Sequence, residues 1–150
     1  MEQETAVSLK LWVVLNRALR SVEDRLRRQV EAHGLSMTEF AVLEVLLHKG
    51  TQPIGEIGDR ILRTSGSMTY VLDKLAGRGL LRRRACEQDR RVMHAELTPE
   101  GRALIETVFP EHAALIRELT AGLTTAEQQT ATELLRRLGL FAQTHTVEAA

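Results

Sequence analysis

Apolar residues recur along this chain at the three-to-four-residue spacing of amphipathic helices. The first such pattern runs from about Thr5 to Ala32, and His33-Gly34 is predicted to stop the helix. Its early turns are apolar around most of their circumference, at Leu9, Leu11, Trp12, Val13, Val14 and Leu15. Such a helix must be buried on several sides, which a second copy of the chain achieves more easily than the rest of one small subunit. The pattern therefore favours a homodimer.

Two capping boxes predict the starts of further helices. Ser36 with Glu39 precedes an apolar stripe that ends before Gly50, and Thr124 with Glu127 precedes the last helix. At this spacing a hydroxyl and a carboxylate satisfy main-chain amides that the first helical turn leaves without partners.

A long helix is predicted before the last one. Thr98 is placed to cap it and Pro99 to open it, since a first helical turn tolerates proline. The apolar stripe resumes beyond Pro110, which predicts a kink there rather than an end. We expect the helices over 5–32 and 98–146 to form a dimerisation region.

The middle of the chain begins with a short helix. Gln52-Pro53 places a proline where a first turn accepts one, and Ile54, Ile57 and Ile61 follow at helical spacing. The break at 63–65 supplies hydroxyl groups that are expected to cap a second helix.

The second helix has two unlike faces. Met68, Val71, Leu72 and Leu75 predict a buried stripe. The other face carries mostly small or hydrogen-bonding residues: Ser65, Gly66, Ser67, Thr69, Tyr70, Asp73 and Lys74. Such residues suit close approach to base edges and phosphates, so the composition indicates a recognition helix.

A β-hairpin is predicted next. Gly77 and Gly79 end the helix, and residues 80–85 and 92–97 have the composition of two strands around the loop 86–91. Behind a pair of short helices, such a hairpin is predicted to be the wing of a winged helix-turn-helix.

Charge is concentrated in this part of the chain. The whole sequence has 20 basic and 20 acidic residues and a net charge of zero. Residues 60–91 nevertheless contain nine basic and only three acidic residues. Release of counterions makes such a segment a plausible phosphate-binding surface, so the zero total does not argue against nucleic acid. The alternative is a solvated, arginine-rich hairpin on an ordinary helical domain.

Several of these residues together carry a family resemblance. The helix 64–75, then Gly79-Leu80, Asp89-Arg90-Arg91 and Leu97-Thr98-Pro99-Glu100-Gly101 follow one another in an order that resembles the MarR family of bacterial transcriptional regulators. The resemblance covers nearly the whole chain. It implies a mainly α fold with a small β-hairpin, in which residues 36–97 form a winged helix-turn-helix lobe.

The resemblance also implies how DNA would be contacted. Two lobes related by a two-fold axis would read an inverted repeat in double-stranded DNA, with half-sites about 10 base pairs apart. Arg91 would enter the minor groove and Asp89 would orient it, although a plain turn-stabilising ion pair between the two is an alternative. The residues expected at the major groove and its flanking phosphates are Ser65, Ser67, Thr69, Tyr70 and Lys74. Further phosphate contacts are expected from Arg90 and from Arg82, Arg83 and Arg84.

An effector is implied as well. Family members commonly bind a small aromatic acid or phenol, and the stretches 9–20 and 34–50 are similar to the branch that responds to quinone-like or phenolic compounds. The residues expected near such a site are Trp12, Phe40, Phe109 and His112. The alternative for Phe40 and Phe109 is simple core packing, because apolar pockets and cores share composition.

Cys86 has two interpretations. Arg84, Arg90 and Arg91 stand close to it in sequence, and positive charge favours a reactive thiolate, which would make Cys86 a redox sensor. Peroxide-sensing members of the family, however, usually carry their cysteine near the start of the first helix, where this sequence has none. The other interpretation is a wing residue without special chemistry.

Other functions find little support in the sequence. The five histidines have no ligand-like spacing, and neither a nucleophile elbow nor a phosphate loop occurs, so we expect no metal, no cofactor and no enzymatic activity. With 150 residues, one domain per subunit is expected. The absence of a long apolar run or a signal-peptide pattern predicts a cytoplasmic protein that does not bind a membrane. The runner-up function is a winged-helix module that binds another protein.

Overall fold

The computed structural model describes residues 1–61 and 67–145, which contain six helices and three strands. In chain order these are α1 (Glu2–Ala32), α2 (Met37–Lys49), β1 (Gln52–Pro53), α3 (Ile54–Arg60), α4 (Met68–Gly77), β2 (Leu81–Ala85), β3 (Met93–Leu97), α5 (Pro99–Thr120) and α6 (Thr125–Thr144). The expected mainly α fold is confirmed. The predicted break at 63–65 lies outside the described residues. Among the helices of the described residues, none combines the length and the apolar composition that a membrane span requires.

The chain divides into two compact units, residues 1–115 and 116–150. The first unit has its hydrophobic core around α2. The largest fully buried side chains of this core are Val30, Phe40, Val42, Leu43, Leu46, Ile57, Leu72, Leu75, Leu81, Ile105 and Val108. They come from α1, α2, α3, α4, the sheet and α5, and α2 contacts both α3 and α4.

The long first helix enters this core only near its end. Leu26 and Val30 are its buried residues, whereas the apolar side chains of its first turns are exposed. The helix stops at Ala32 as predicted, and Gly34 follows with a φ of 74°. Glycine adopts that left-handed conformation without the steric cost that a side chain would add.

The start of α2 is a complete capping box. The Ser36 hydroxyl oxygen accepts from the Glu39 amide at 3.1 Å, and Glu39 Oε2 accepts from the Ser36 amide at 2.7 Å. The capping box predicted at Thr124 and Glu127 is also present at the start of α6, in the second unit.

The prediction for Gln52-Pro53 was wrong. These residues do not form a first helical turn but a two-residue strand, in which Gln52 pairs with Ala95 and Pro53 with His94. Pro53 has an extended backbone, with φ −57° and ψ 132°, and α3 begins only at Ile54. The pairing depends on β3, a strand far along the chain, so the sequence around Gln52 contains no local signal for it.

The predicted hairpin is confirmed. Strands β2 and β3 pair antiparallel from Leu81 opposite Leu97 to Ala85 opposite Met93, close to the predicted ranges. With β1 they form a three-stranded sheet in the order β1-β3-β2.

The start of α5 is packed tightly against the end of this lobe. The Thr98 hydroxyl donates to Gly79 O at 2.6 Å and accepts from the Gly101 amide at 3.0 Å. A β-carbon on Gly101 would lie 1.8 Å from Leu80 O, far inside contact distance. The helix then continues through Pro110, as expected. The Thr-Pro-Glu-Gly sequence is therefore a close junction between helix and sheet.

This junction predicts a large effect of one methyl group. Gly101→Ala should lower the free energy of unfolding by about 3 kcal/mol or more, because Leu80 O belongs to the main chain and cannot move away cheaply. Urea denaturation followed by circular dichroism measures the change. Gly58→Ala is the control: no described atom lies within 4 Å of its added β-carbon, and the change should stay within about 1 kcal/mol. Equal stability of both variants would contradict the close approach.

Candidate nucleic-acid interface

Helix α4 presents a polar face to solvent. Its ten residues span about 15 Å, and Val71, Leu72 and Leu75 are buried against the core. The exposed residues predicted for DNA contact are Ser67, Thr69, Tyr70 and Lys74, whereas Ser65 lies outside the described residues. The Tyr70 side chain is notable because a large aromatic residue is 68% exposed. Ser67 occupies the N-cap position without a side-chain capping bond, so its hydroxyl is not used by the helix.

The tip of the wing is held by its main chain. Asp89 Oδ1 accepts from the Arg91 amide at 3.0 Å, and Asp89 O accepts from the Val92 amide at 3.0 Å. The carboxylate thus orients the backbone of Arg91 rather than its guanidinium. Among the residues that the structure describes, neither Arg90 nor Arg91 forms an ion pair, and both are exposed. Two positive charges are therefore available at this tip.

The arginines of β2 are engaged differently. Arg82 Nε donates to Glu96 Oε1, and Arg84 contacts Glu87 Oε1 at 2.8 Å and Glu96 Oε2 at 3.8 Å. The hydrogen bond from Arg82, with the charges of Arg82 and Arg84, lowers the pKa of Glu96 and keeps it ionised at neutral pH. These pairs neutralise much of the positive charge that the sequence places on the strand.

Arg83 connects the wing to α4. Its Nη2 atom lies 2.6 Å from Asp73 Oδ1 of α4. Both side chains are partly exposed, so the pair contributes little stability, but it links β2 of the wing to α4. The sequence places Asp73 on the polar face of α4, but no local pattern relates it to Arg83.

Lys74 is also paired in the structure. Its Nζ atom lies 3.2 Å from Oε1 of Glu39, a buried residue in the first turn of α2. The sequence predicted Glu39 only as part of a capping box. Glu39 also contacts Lys74 of α4 and Arg78 just after it, and no local sequence pattern indicates these contacts.

Three of the four proposed effector residues lie in one region. The Phe40 and His112 rings are 4.3 Å apart, and Phe109 packs edge-on against His48 at 4.6 Å. His112 is 6% exposed, and its Nδ1 atom lies 3.0 Å from Gln29 Oε1. Burial lowers the pKa of His112 and favours the neutral ring. Phe40 is part of the core, as the alternative interpretation expected.

Trp12 lies apart from these rings along α1. Its side chain is 63% exposed and lines a surface depression of about 350 Å³ together with Val13, Asn16, Arg17 and Arg20. It precedes Leu26, where α1 enters the core, by about 21 Å along the helix axis. The structure does not bring Trp12 to the Phe40–His112 contact.

Cys86 follows β2 directly and is partly buried. Its amide donates to Val92 O at 2.9 Å, which closes the loop of the wing. Within residues 1–61 and 67–145, the structure records no hydrogen bond from its thiol. The wing arginines are thus close to Cys86 in sequence, but none of them makes a recorded hydrogen bond with its thiol among the described residues.

Comparisons with known proteins place these features in context. The sequence profile of the MarR family matches residues 35–93. The HTH-type transcriptional regulator MhqR of Bacillus subtilis (strain 168) is 50% identical over 139 residues, which cover 93% of this chain and 96% of that protein.

Solved structures share the fold. BpsR of Bordetella bronchiseptica, described as regulated in DNA binding by 6-hydroxynicotinic acid, is similar with a TM-score of 0.75 and 25% identity, over 87% of this chain and 98% of that chain. Sco3205 of Streptomyces coelicolor, a MarR family regulator solved in complex with DNA, has a TM-score of 0.81 at 23% identity, over 94% of this chain and 90% of that chain. At that identity the second likeness shows the fold alone.

The buried imidazole predicts a pH dependence of stability. The pKa of His112 is lower in the folded protein than in the unfolded chain, where it is about 6.5, so the unfolded state binds more protons below that pH. The free energy of unfolding should therefore fall as the pH drops from 7.5 to 5.0. In His112→Asn this fall should be smaller, which urea titrations at several pH values measure. His145→Asn, at the exposed end of α6, is the control, and equal slopes in both variants would contradict the assignment.

Proposed function

This chain belongs to the MarR family of transcriptional regulators, and from that premise we propose that it is a homodimeric repressor that reads an inverted repeat and releases it on binding a small aromatic effector. The observations that carry the proposal are the exposed polar face of α4 and a wing tip whose Arg90 and Arg91 form no ion pair with any residue that the structure describes. A regulator of this kind acts where the chromosome is, so we propose a cytoplasmic location.

The proposed contacts follow from which groups are available. Thr69 and Tyr70 would approach base edges in the major groove, whose width of about 12 Å admits a helix. Ser65 and Ser67, at the amino end of the same segment, would contact base edges or phosphates by their hydroxyl groups. Arg91 would enter the minor groove, and Arg90 would contact a phosphate.

The arginines of β2 have a different proposed role. Because acidic neighbours already pair with Arg82, Arg83 and Arg84, moving any of them to a phosphate would leave a carboxylate without its partner. We therefore assign these three residues to holding the wing and not to the principal DNA contacts.

Exposed apolar side chains support the dimer. Before it enters the core, α1 exposes Val7, Leu9, Leu11, Trp12, Val13, Val14 and Leu19. In the second unit, α6 exposes Leu134, Leu135, Leu138, Leu140 and Phe141. Contiguous apolar surface of this kind is unusual on a monomer and marks surfaces that are covered in an assembly. A second copy of the chain is the proposed cover.

Chemistry in the core of the first unit supports an aromatic effector. The Phe40 and His112 rings, with Phe109 nearby on α5, offer flat apolar contact together with a ring nitrogen. A hydroxylated aromatic acid regulates BpsR, a relative in fold, and a compound of this class is the proposed effector here. Trp12 is included only if the partner subunit brings it to the site.

DNA reading is tested by selecting bound sequences from random duplex DNA at two salt concentrations. We expect an enriched inverted repeat with half-sites about 10 base pairs apart.

Arg91→Ala should weaken binding to that sequence by about tenfold to a hundredfold, since it removes a groove contact from each subunit. Titration with labelled operator measures this, and sedimentation should show that the variant remains a dimer.

Arg82→Ala is the matched control on the same wing. Because Glu96 already occupies its guanidinium, the loss of affinity should stay below about threefold. Equal losses in the two variants would contradict the distinction between paired and unpaired arginines. Salt-sensitive binding without an enriched sequence would replace the proposal with a basic surface for another partner.

The effector proposal predicts release of DNA without thiol chemistry. Catechol and 6-hydroxynicotinic acid should release operator equally well from the wild type and from Cys86→Ser. Fluorescence anisotropy of labelled operator measures the release, and benzoquinone serves as the thiol-reactive comparison. If release by every compound disappears in Cys86→Ser, the sensor is the thiol and the noncovalent site is wrong.

A further inference from the structure

Glu39 is a buried carboxylate whose two oxygens have different surroundings. Oε2 accepts from the Ser36 amide and completes the capping box of α2. Oε1 is buried and makes no hydrogen bond of good geometry with the described residues, and the side chain is only 3% exposed. A carboxylate in this position requires positive charge nearby, because burial of an unpaired charge is strongly unfavourable.

That positive charge comes from the recognition helix. Lys74 Nζ lies 3.2 Å from Glu39 Oε1, and Arg78 Nη1 lies 3.6 Å from the same oxygen. Arg78 Nη1 also donates to Gly34 O at 2.9 Å, in the turn between α1 and α2. The carboxyl half of α4 is thus attached to the start of α2 and to the turn that precedes it.

The electrostatic balance favours an ionised Glu39. Burial acts to raise its pKa, but the hydrogen bond from the Ser36 amide and the charges of Lys74 and Arg78 outweigh burial and lower the pKa. Removing a cation would leave a buried negative charge with one partner fewer. Lys74, although 48% exposed, is therefore held on the side of the protein rather than left to solvent.

We propose that Glu39 is a positioning residue for DNA recognition, which holds Lys74 and Arg78 and thereby sets the placement of α4 against the groove. The proposal rests on the DNA-reading function proposed above. Thr69 and Tyr70 lie about one helical turn before Lys74, so a shift of this end of α4 moves both of them relative to the bases. In this arrangement Lys74 forms an ion pair within the protein and does not contact a phosphate.

The salt dependence of DNA binding distinguishes an ion pair within the protein from a phosphate contact. Each phosphate contact contributes about 0.9 to the slope of log affinity against log salt, so one residue in each of two subunits contributes about 1.8. Lys74→Met keeps the apolar stem and removes only the charge. It should weaken operator binding by about tenfold while leaving the slope unchanged. Affinity for a scrambled duplex of equal length should also be unchanged.

Arg90→Met is the matched control for this measurement. Its guanidinium forms no ion pair within the described residues, so loss of a phosphate contact should reduce the slope by about 1.8 and weaken operator and scrambled duplex alike. If Arg90→Met binds the operator as the wild type does, Arg91→Ala is used instead to show that the assay detects a lost contact.

Glu39→Gln tests the other side of the pair. The side-chain carbonyl oxygen of the glutamine can still accept a hydrogen bond from the Ser36 main-chain amide, so the helix cap persists. The negative charge that holds Lys74 and Arg78 is absent. We expect a loss of operator affinity similar to that of Lys74→Met, and no further loss in the double variant, because both changes break the same attachment. Thermal unfolding by circular dichroism confirms that each variant is folded under the binding conditions.

Three results would overturn the proposal. These are a slope reduced by about 1.8 in Lys74→Met, unchanged or tighter operator binding by Glu39→Gln, and independent, additive losses in the double variant. The wild type separates this failure from failure of the proposed function. If wild type selects no sequence, DNA reading itself is wrong, whereas selective wild-type binding with any of these three results refutes only the role of Glu39.

Discussion

The ten residues of α4 present a polar face to solvent although a helix of this length is barely stable by itself. Three buried residues, Val71, Leu72 and Leu75, attach one face to the core. Hydrophobic contact is not directional, so it fixes depth better than orientation. Charged contacts at the edges of the helix supply direction: Asp73 contacts Arg83 of the wing, and Lys74 contacts Glu39 of α2. The rest of the lobe serves to place this short element.

Charge in this lobe is divided between two tasks. Arg82, Arg83 and Arg84 lie on a regular strand, where neighbouring strands and helices bring carboxylates within reach. Arg90 and Arg91 lie in the loop beyond the paired strands, where their guanidinium groups form no ion pair among the described residues. A neutral chain thereby keeps a locally positive tip. The same residue type is paired with carboxylates on β2 and, within the described residues, has no ion-pair partner in the loop.

In the core of the first unit, the rings proposed to bind the effector lie close to the contact that positions α4. Phe40, which contacts the His112 ring, follows Glu39 directly in α2. A molecule that displaced either ring would disturb the residue next to the carboxylate that holds Lys74. Close packing transmits such displacements, because side chains in a dense interior have few alternative positions.

Much of this architecture was determined by the sequence alone. Apolar spacing, the capping boxes at Ser36 and Thr124, and the strands around loop 86–91 are local signals, and local sequence is enough to form helix starts and hairpins. The family resemblance added the sites expected to contact DNA. Only tertiary structure decided that Gln52-Pro53 is a strand, that Gly101 lies against Leu80 O, and which arginines are paired. Each of these depends on a group distant in the chain, and the free energy of such contacts exists only once the fold has brought the partners together.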